Sequence, residues 1–186
     1  MKAQIQKEQE QQGLQETKVI YSGRILQFAI ETYLLPSGRK TAEIVHHPGA
    51  VVIIPITPSG DILLVQQWRR AAKEILLELP AGTLEPNEEP IACAARELQE
   101  ETGFGAKTLQ SLGGFYTAPG YCDEYLHLFL ASDLYPSTIP ADDDEMIDVI
   151  AISPKDAKKQ ILEHKMRDAK TISGILRYLC ASGFLV

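Results

Sequence analysis

The sequence is poor in cysteine and aromatic residues and contains no long apolar run. Its 186 residues include one tryptophan, five phenylalanines and seven tyrosines. The three cysteines are scattered and odd in number, which argues against a disulfide-stapled secreted scaffold and predicts a reducing, cytoplasmic location. The apolar stretches, such as residues 50–56, are too short to cross a membrane. The amino terminus lacks an apolar core flanked by basic residues, so no secretory signal is predicted.

Basic residues are also in deficit. Lysine and arginine number 18 against 25 aspartates and glutamates, giving a formal net charge of -7. This balance argues against a general nucleic-acid groove, which needs clustered basic residues, and favours a small phosphorylated metabolite as the partner. With 45% hydrophobic and 23% charged residues, the composition is that of a globular chain, and its length fits one domain, or one domain plus a short accessory element.

Acidic residues, in contrast, are concentrated in the segment 82–104, GTLEPNEEPIACAARELQEETGF. Glu97, Glu100 and Glu101 are spaced so that a helix would bring them onto one patch, where their repulsion requires a cation. Carboxylates without nearby histidine or cysteine ligands favour Mg²⁺, or Mn²⁺, over zinc. Because Mg²⁺ commonly shares its ligands with phosphate, the substrate is predicted to carry phosphate.

The local pattern predicts the bounds and faces of this helix. Asn87 is the predicted N-cap, and Gly103 is the predicted left-handed residue that ends the helix. Arg96 is predicted to project away from the acidic patch. The apolar positions repeat at helical spacing and predict a packed face made of Ile91, Ala94, Ala95 and Leu98.

The same segment resembles the Nudix box, GX5EX7REUXEEXGU, where U is a bulky apolar residue. Gly82, Glu88 and the run from Arg96 to Phe104 fill every fixed position. The resemblance implies a loop-helix-loop that binds magnesium and hydrolyses a nucleoside diphosphate linked to another group. It also implies that Arg96 orients the glutamates by salt bridges, and it outweighs the alternative of a merely solvated acidic helix.

The rest of the chain predicts an α+β fold. Residues 1–17 are interpreted as a flexible polar tail, 18–47 as a small antiparallel β element, and 48–186 as the Nudix hydrolase domain, an α/β/α sandwich with a mixed sheet. Buried strands are predicted at 49–56 and 61–67, paired around a Pro-Ser-Gly turn at 58–60. Further strands are predicted at 108–115, 124–131 and 146–152, with a loop at 132–145, and closing helices at Ser153 and over 169–180.

Within the family, the chain is most similar to the ADP-ribose pyrophosphatases. The features that carry this likeness are the strand end at Gln67-Trp68-Arg69-Arg70, the lead Glu78-Leu79-Pro80-Ala81-Gly82, Pro119 fifteen residues after Phe104, and the strand-rich leader. The likeness implies cleavage of ADP-ribose to AMP and ribose 5-phosphate by a homodimer whose leader forms the dimer contact. Arg69 would engage the diphosphate, the Ala81 carbonyl would assist the metal, and Leu84, Pro119 and Gly120 would border the nucleotide.

A general base is predicted in the acidic run at 142–145. In the resembling enzymes the base comes from an acidic loop just ahead of a strand, and Glu145 matches that position best, as metal ligand or base. Asp143 is the second candidate and Asp144 a third. Arg96 and Glu100 complete the predicted catalytic set.

Three alternatives remain open. Another sugar nucleotide, such as ADP-glucose or GDP-mannose, is compatible with the same box. A protein that senses ADP-ribose without cleaving it is opposed by the intact acidic set. An RNA-decapping or mutagenic-nucleotide hydrolase is disfavoured by Pro119 and by the leader.

Overall fold

The computed structural model describes residues 1–137 and 146–183, which form two compact units. The first unit comprises Met1–Pro48 with Tyr116–Tyr125, and the second comprises Gly49–Phe115 with the described residues from Leu126 onward. Within the described ranges, no helix has the length and apolar character needed to cross a membrane.

The first unit is built on an antiparallel meander. Its elements are the helix α1 (Lys2–Gly13) and the strands β1 (Leu14–Ser22), β2 (Gln27–Leu35) and β3 (Gly38–His46). The sheet order is β1-β2-β3, and β2 and β3 are joined by a tight turn at Pro36 and Ser37, as predicted. The residues interpreted as a polar tail form α1 and the start of β1, and α1 lies against β2. The role of this unit in dimerisation stays a prediction.

The second unit contains two sheets and three helices among its described residues. Its elements are β4 (Ala50–Pro55), β5 (Ile62–Arg69), β6 (Glu74–Glu78), β7 (Ala81–Thr83), α2 (Pro90–Thr102), β8 (Phe104–Tyr116), β9 (Tyr125–Pro136), β10 (Asp148–Ile152), α3 (Pro154–Leu162) and α4 (Ala169–Ala181). One sheet has the order β7-β4-β9-β8 and the other β10-β5-β6. Because β4 is parallel to β9 and antiparallel to β7, the first of these sheets is mixed, as predicted.

Strand β4 separates two hydrophobic clusters. Val52 and Ile54 point into a cluster completed by strand β5 and helix α4, whereas Val51 and Ile53 meet residues of α2. All six residues of β4 are buried, as expected for a strand covered on both faces. The mixed sheet therefore has α2 on one face and α4 on the other, which confirms the α+β sandwich.

The predicted pairing of the first two core strands is wrong. The chain does reverse at the turn, where the Gly60 N–H donates to the Thr57 carbonyl over 2.9 Å. Beyond one bridge between Ile56 and Ile62, however, β4 and β5 enter different sheets. Both strands are apolar on both faces, so they lack the alternation that would indicate a shared half-exposed sheet.

Several strand bounds also differ from the prediction. Strands β6 and β7 were not predicted, and β9 continues to Pro136 through residues that were predicted to be a loop. The closing helices are confirmed. Ser153 caps α3 by accepting a hydrogen bond from the Asp156 N–H, and α4 covers the predicted range.

Candidate active site

Helix α2 carries the acidic patch and ends as its sequence predicts. Gly103 has a φ of 73°, a left-handed conformation that glycine adopts without strain, and its N–H donates to the Gln99 carbonyl. The start was predicted wrongly. Asn87 itself has a positive φ of 64°, and the helix begins at Pro90 with Glu89 as the N-cap, because proline is favoured at the first helical position.

The packed face of α2 is rotated from the predicted one. Cys93, Ala94 and Leu98 are fully buried in the cluster of β4 and β9, whereas Ile91 is 51% exposed. Burial raises the pKa of the Cys93 thiol to about 12. Cys93 is therefore a packing residue and is not poised to act as a nucleophile.

The strand β7 places its backbone directly beneath the acidic patch. The Ala81 N–H donates to Glu101 Oε2 over 3.1 Å, and Glu101 is only 7% exposed. The Glu97 carboxylate lies over Gly82, so that a Cβ atom added there would come within 1.8 Å of the Glu97 carboxyl carbon. Glycine at this position leaves room for the carboxylate, which an added Cβ would displace.

Arg96 lies within the acidic patch, so the predicted direction of its side chain is wrong. Its Nε and Nη2 atoms donate to both oxygens of Glu88, each over 3.0 Å, and Nη1 donates to Glu97 over 2.7 Å and to Glu100 over 2.9 Å. The predicted salt bridges to the glutamates are present. Hydrogen bonding to Arg96 lowers the pKa of Glu88 to about 2, while the bonds to Glu88 raise the pKa of Arg96.

Replacing Arg96 with methionine is expected to lower the free energy of unfolding at neutral pH by about 2 kcal/mol, because Arg96 is the largest of several causes of the lowered Glu88 pKa. Glu88 is mostly buried, and its pKa lies at about 2 in the folded protein against an ordinary 4.5. A lowered pKa in the folded state stabilises above pH 4.5, and this stabilisation is lost as the pH falls toward 2. Urea unfolding of both proteins across this range measures the difference.

The matched control is Arg167→Met, which breaks an exposed ion pair with Glu74. We expect this control to cost less than about 1 kcal/mol because solvent screens the pair. A difference between wild type and Arg96→Met that stays constant from pH 7 to about pH 2.5 would contradict the assigned role of Glu88.

The donor chemistry of the patch fits a hard divalent ion. Glu88, Glu97 and Glu100 share one guanidinium, and Glu101 follows Glu100 on the same helix and accepts from the Ala81 N–H. The patch therefore has an excess of negative charge, and every candidate ligand atom is oxygen. In the described part of the chain, no three His, Cys, Asp or Glu side chains converge as metal ligands. Two of the predicted ligands, Glu97 and Glu100, accept hydrogen bonds from Arg96 instead.

Arg69 forms a second charged cluster that the sequence did not predict. Its Nε and Nη2 atoms donate to Glu78 over 2.8 and 2.6 Å, and Lys170 donates to the same carboxylate. Burial opposes the ionisation of Glu78, but the bonds and charges of Arg69 and Lys170 outweigh it and lower its pKa. The hydrogen bond to Glu78 likewise raises the pKa of Arg69. Glu78 and Lys170 are 92 residues apart, so their ion pair leaves no local pattern in the sequence.

The remaining predicted residues are dispersed. Leu84 belongs to the second unit, where it packs against the cluster beneath α2. Pro119 and Gly120 belong to the first unit, in a turn closed by the Cys122 N–H and the Ala118 carbonyl. Their contact with a nucleotide stays a prediction. Asp143, Asp144 and Glu145 lie outside the described residues.

A helix that carries several carboxylates and packs on a mixed sheet is characteristic of a known class of domain. The NUDIX domain family model matches residues 45–173, and the chain belongs to this family. Members of the family generally use divalent metal ions. The fold is also similar to that of a crystal structure described as an ADP compounds hydrolase, with a TM-score of 0.80, 22% identity and coverage of 91% of this chain and 95% of that one.

Two curated relatives cover most of the chain. An ADP-ribose pyrophosphatase of Bacillus subtilis is 41% identical over 159 residues, which are 84% of this chain and 86% of that protein. A methanol dehydrogenase activator of Bacillus methanolicus is 38% identical over 162 residues, 86% of this chain and 88% of that protein.

Proposed function

We propose that this protein hydrolyses the pyrophosphate bond of ADP-ribose, giving AMP and ribose 5-phosphate, with Mg²⁺ as its ion and Mn²⁺ as a substitute. The observation that carries the proposal is the seating of Glu97 and Glu101 on the backbone of Ala81 and Gly82. The name of the Bacillus subtilis relative supports ADP-ribose as the substrate.

Glu97, Glu100 and Glu101, with the Ala81 carbonyl and Glu145, are the proposed ligands of the ion. When bound, the ion supplies positive charge for the diphosphate oxygens and promotes ionisation of the attacking water. Arg96 holds Glu97 and Glu100 in place from one nitrogen, so these two ligands are positioned together. Because the Arg96 guanidinium is engaged by Glu88, Glu97 and Glu100, we assign it a positioning role.

The reaction itself needs a water, a base and a neutralised leaving group. The water oxygen bonds to one phosphorus, the bridging P–O bond breaks, and the bridging oxygen leaves on the other phosphate. Glu145, with Asp143 or Asp144 as the alternative, is the proposed base that accepts the proton of the water. Arg69 is proposed to bind the diphosphate, and Leu84, Pro119 and Gly120 to border the nucleotide.

Cellular setting and assembly are part of the same proposal. Cys93, Cys122 and Cys180 are all free thiols, which supports a cytoplasmic location. The meander of the first unit is proposed as the contact of a homodimer. Sedimentation of the purified protein tests that state.

Product identification tests the reaction. Purified protein is incubated with Mg²⁺ and ADP-ribose, ADP-glucose or GDP-mannose in parallel, and the products are separated by chromatography. We expect AMP and ribose 5-phosphate from ADP-ribose as the preferred substrate, and no product when EDTA removes the ion. In water enriched in ¹⁸O, the label enters whichever phosphate the water attacks.

The other outcomes each identify an alternative. Faster cleavage of GDP-mannose or ADP-glucose would move the substrate to another sugar nucleotide. Binding of ADP-ribose without cleavage under any divalent ion would identify a sensor and contradict the proposed hydrolysis.

A further inference from the structure

Glu78 is a buried carboxylate shared by two cations. It ends strand β6, is 1% exposed, and lies three residues before Ala81. Arg69 donates to both of its oxygens, and Lys170 donates to Oε2. Because two cations contact this carboxylate, it would keep a counter-ion if one of them moved away.

Lys170 occupies an unfavourable position for a lysine. It is the second residue of α4, where the positive end of the helix dipole disfavours a cation. Asp168 offsets part of this cost, since its Oδ2 atom accepts from Lys170 over 3.0 Å and also caps the helix at the Thr171 N–H. Lys170 is therefore fixed from two sides, by Glu78 and by Asp168.

The two cations on Glu78 differ in exposure. The side chain of Lys170 is 14% exposed, whereas that of Arg69 is 41% exposed and lies at the end of β5. The planar guanidinium of Arg69 suits bidentate contact with phosphate, which a lysine cannot make. Arg69 is thus the cation that an anionic ligand can reach, and Lys170 is the one that stays.

We propose that Lys170 is a positioning residue, the permanent counter-ion of Glu78 that allows Arg69 to leave Glu78 for the diphosphate of the substrate. This inference rests on the proposed function, in which Arg69 binds the diphosphate. When Arg69 turns to the substrate, Glu78 keeps a cation and is not left as an unpaired buried charge. Without Lys170, the release of Arg69 would strand Glu78, so Arg69 would stay paired and bind substrate poorly.

Lys170→Met tests the exchange. We expect KM for ADP-ribose to rise about tenfold with kcat changed less than about twofold, because the lost contact serves ground state and transition state alike. Lys170→Arg keeps a cation beside Glu78 and is expected to restore most of the affinity. Lys159→Met, which removes an exposed lysine of α3, is the matched control and is expected to leave KM unchanged.

The double variant Glu78→Gln with Lys170→Met separates exchange from simple structural damage. Without the Glu78 charge, no ion pair with residue 78 competes with the substrate for Arg69, so KM is expected to fall back toward the wild-type value. A purely structural role for Lys170 predicts the opposite, that the second substitution adds to the damage. Thermal unfolding of each variant shows whether it is folded.

The outcomes distinguish this inference from the proposed function. If wild type cleaves ADP-ribose but folded Lys170→Met has the wild-type KM, or the double variant binds no better than Lys170→Met, the exchange is refuted and the hydrolase stands. If the double variant does not fold, the KM of Lys170→Met against that of Lys170→Arg decides. If wild type neither binds nor cleaves ADP-ribose, both ideas are overturned.

Discussion

Replacing Glu101 with glutamine is expected to reduce kcat for ADP-ribose about a hundredfold or more, as for other electrostatic contacts in a transition state. The change removes one negative charge and keeps the shape of the side chain. In the wild type, the Ala81 N–H donates to Glu101 Oε2 over 3.1 Å. The glutamine amide oxygen can still accept this hydrogen bond, so the fold of strand β7 is expected to survive. Steady-state kinetics with Mg²⁺ measure the loss, and thermal unfolding verifies the fold.

The matched control is Glu89→Gln, the same substitution at the start of the same helix. Glu89 is exposed and caps α2 through its backbone alone. The kcat of Glu89→Gln is therefore expected to stay within about twofold of wild type. Titration with Mn²⁺, followed by electron paramagnetic resonance, gives a second readout that should weaken only in Glu101→Gln. Full turnover in that variant would remove Glu101 from the mechanism.

The helix termini could be predicted because their causes are local. Gly103 ends α2 and Ser153 caps α3 through contacts within four residues, which the sequence displays directly. Asn87 shows the limit of this reasoning. Asparagine is favoured both as a helix cap and in left-handed turns, and only the proline at position 90 distinguishes the two possibilities here.

Strand partners could not be predicted in the same way. Strands β4 and β5 are short apolar runs joined by a turn, a pattern that indicates a hairpin, yet they pair in separate sheets. One partner of β4 is β9, more than 70 residues away, and parallel pairing of this kind leaves no local pattern. Strand β7 has only three residues, which is too few for any periodicity.

For the candidate site, the spacing of the box located Glu97, Glu100 and Glu101 but not the groups that hold them. Helical spacing alone suggested that Arg96 points away, whereas its long side chain reaches back to Glu97 and Glu100. Long side chains reach over several positions of a helix, so a residue's direction on the helix does not fix where its charge lies. The β5–β6 register places Arg69 opposite Glu74, yet its side chain contacts Glu78, so this pairing was equally hidden.

Replacing Gly82 with alanine is expected to lower kcat about a hundredfold while leaving the protein folded, because an ångström-scale displacement of a catalytic group commonly costs that much. The added Cβ would lie 1.8 Å from the Glu97 carboxyl carbon and 1.9 and 2.4 Å from its oxygens. These atoms end a flexible side chain, so the carboxylate moves and the backbone does not. Gly82 is not among the glycines with a positive φ, and alanine adopts its conformation without strain.

A glycine elsewhere in the second unit provides the matched control. A Cβ at Gly105 would lie 2.6 Å from the ring of Tyr135, again the movable end of a side chain, but away from the acidic patch. Gly105→Ala is therefore expected to have the wild-type kcat. The free energy of unfolding of both variants is expected to lie within about 1 kcal/mol of the wild-type value. If Gly82→Ala retains full activity, the position of the Glu97 carboxylate over strand β7 is not needed for catalysis. The acidic patch must then act through Glu100 and Glu101 without Glu97.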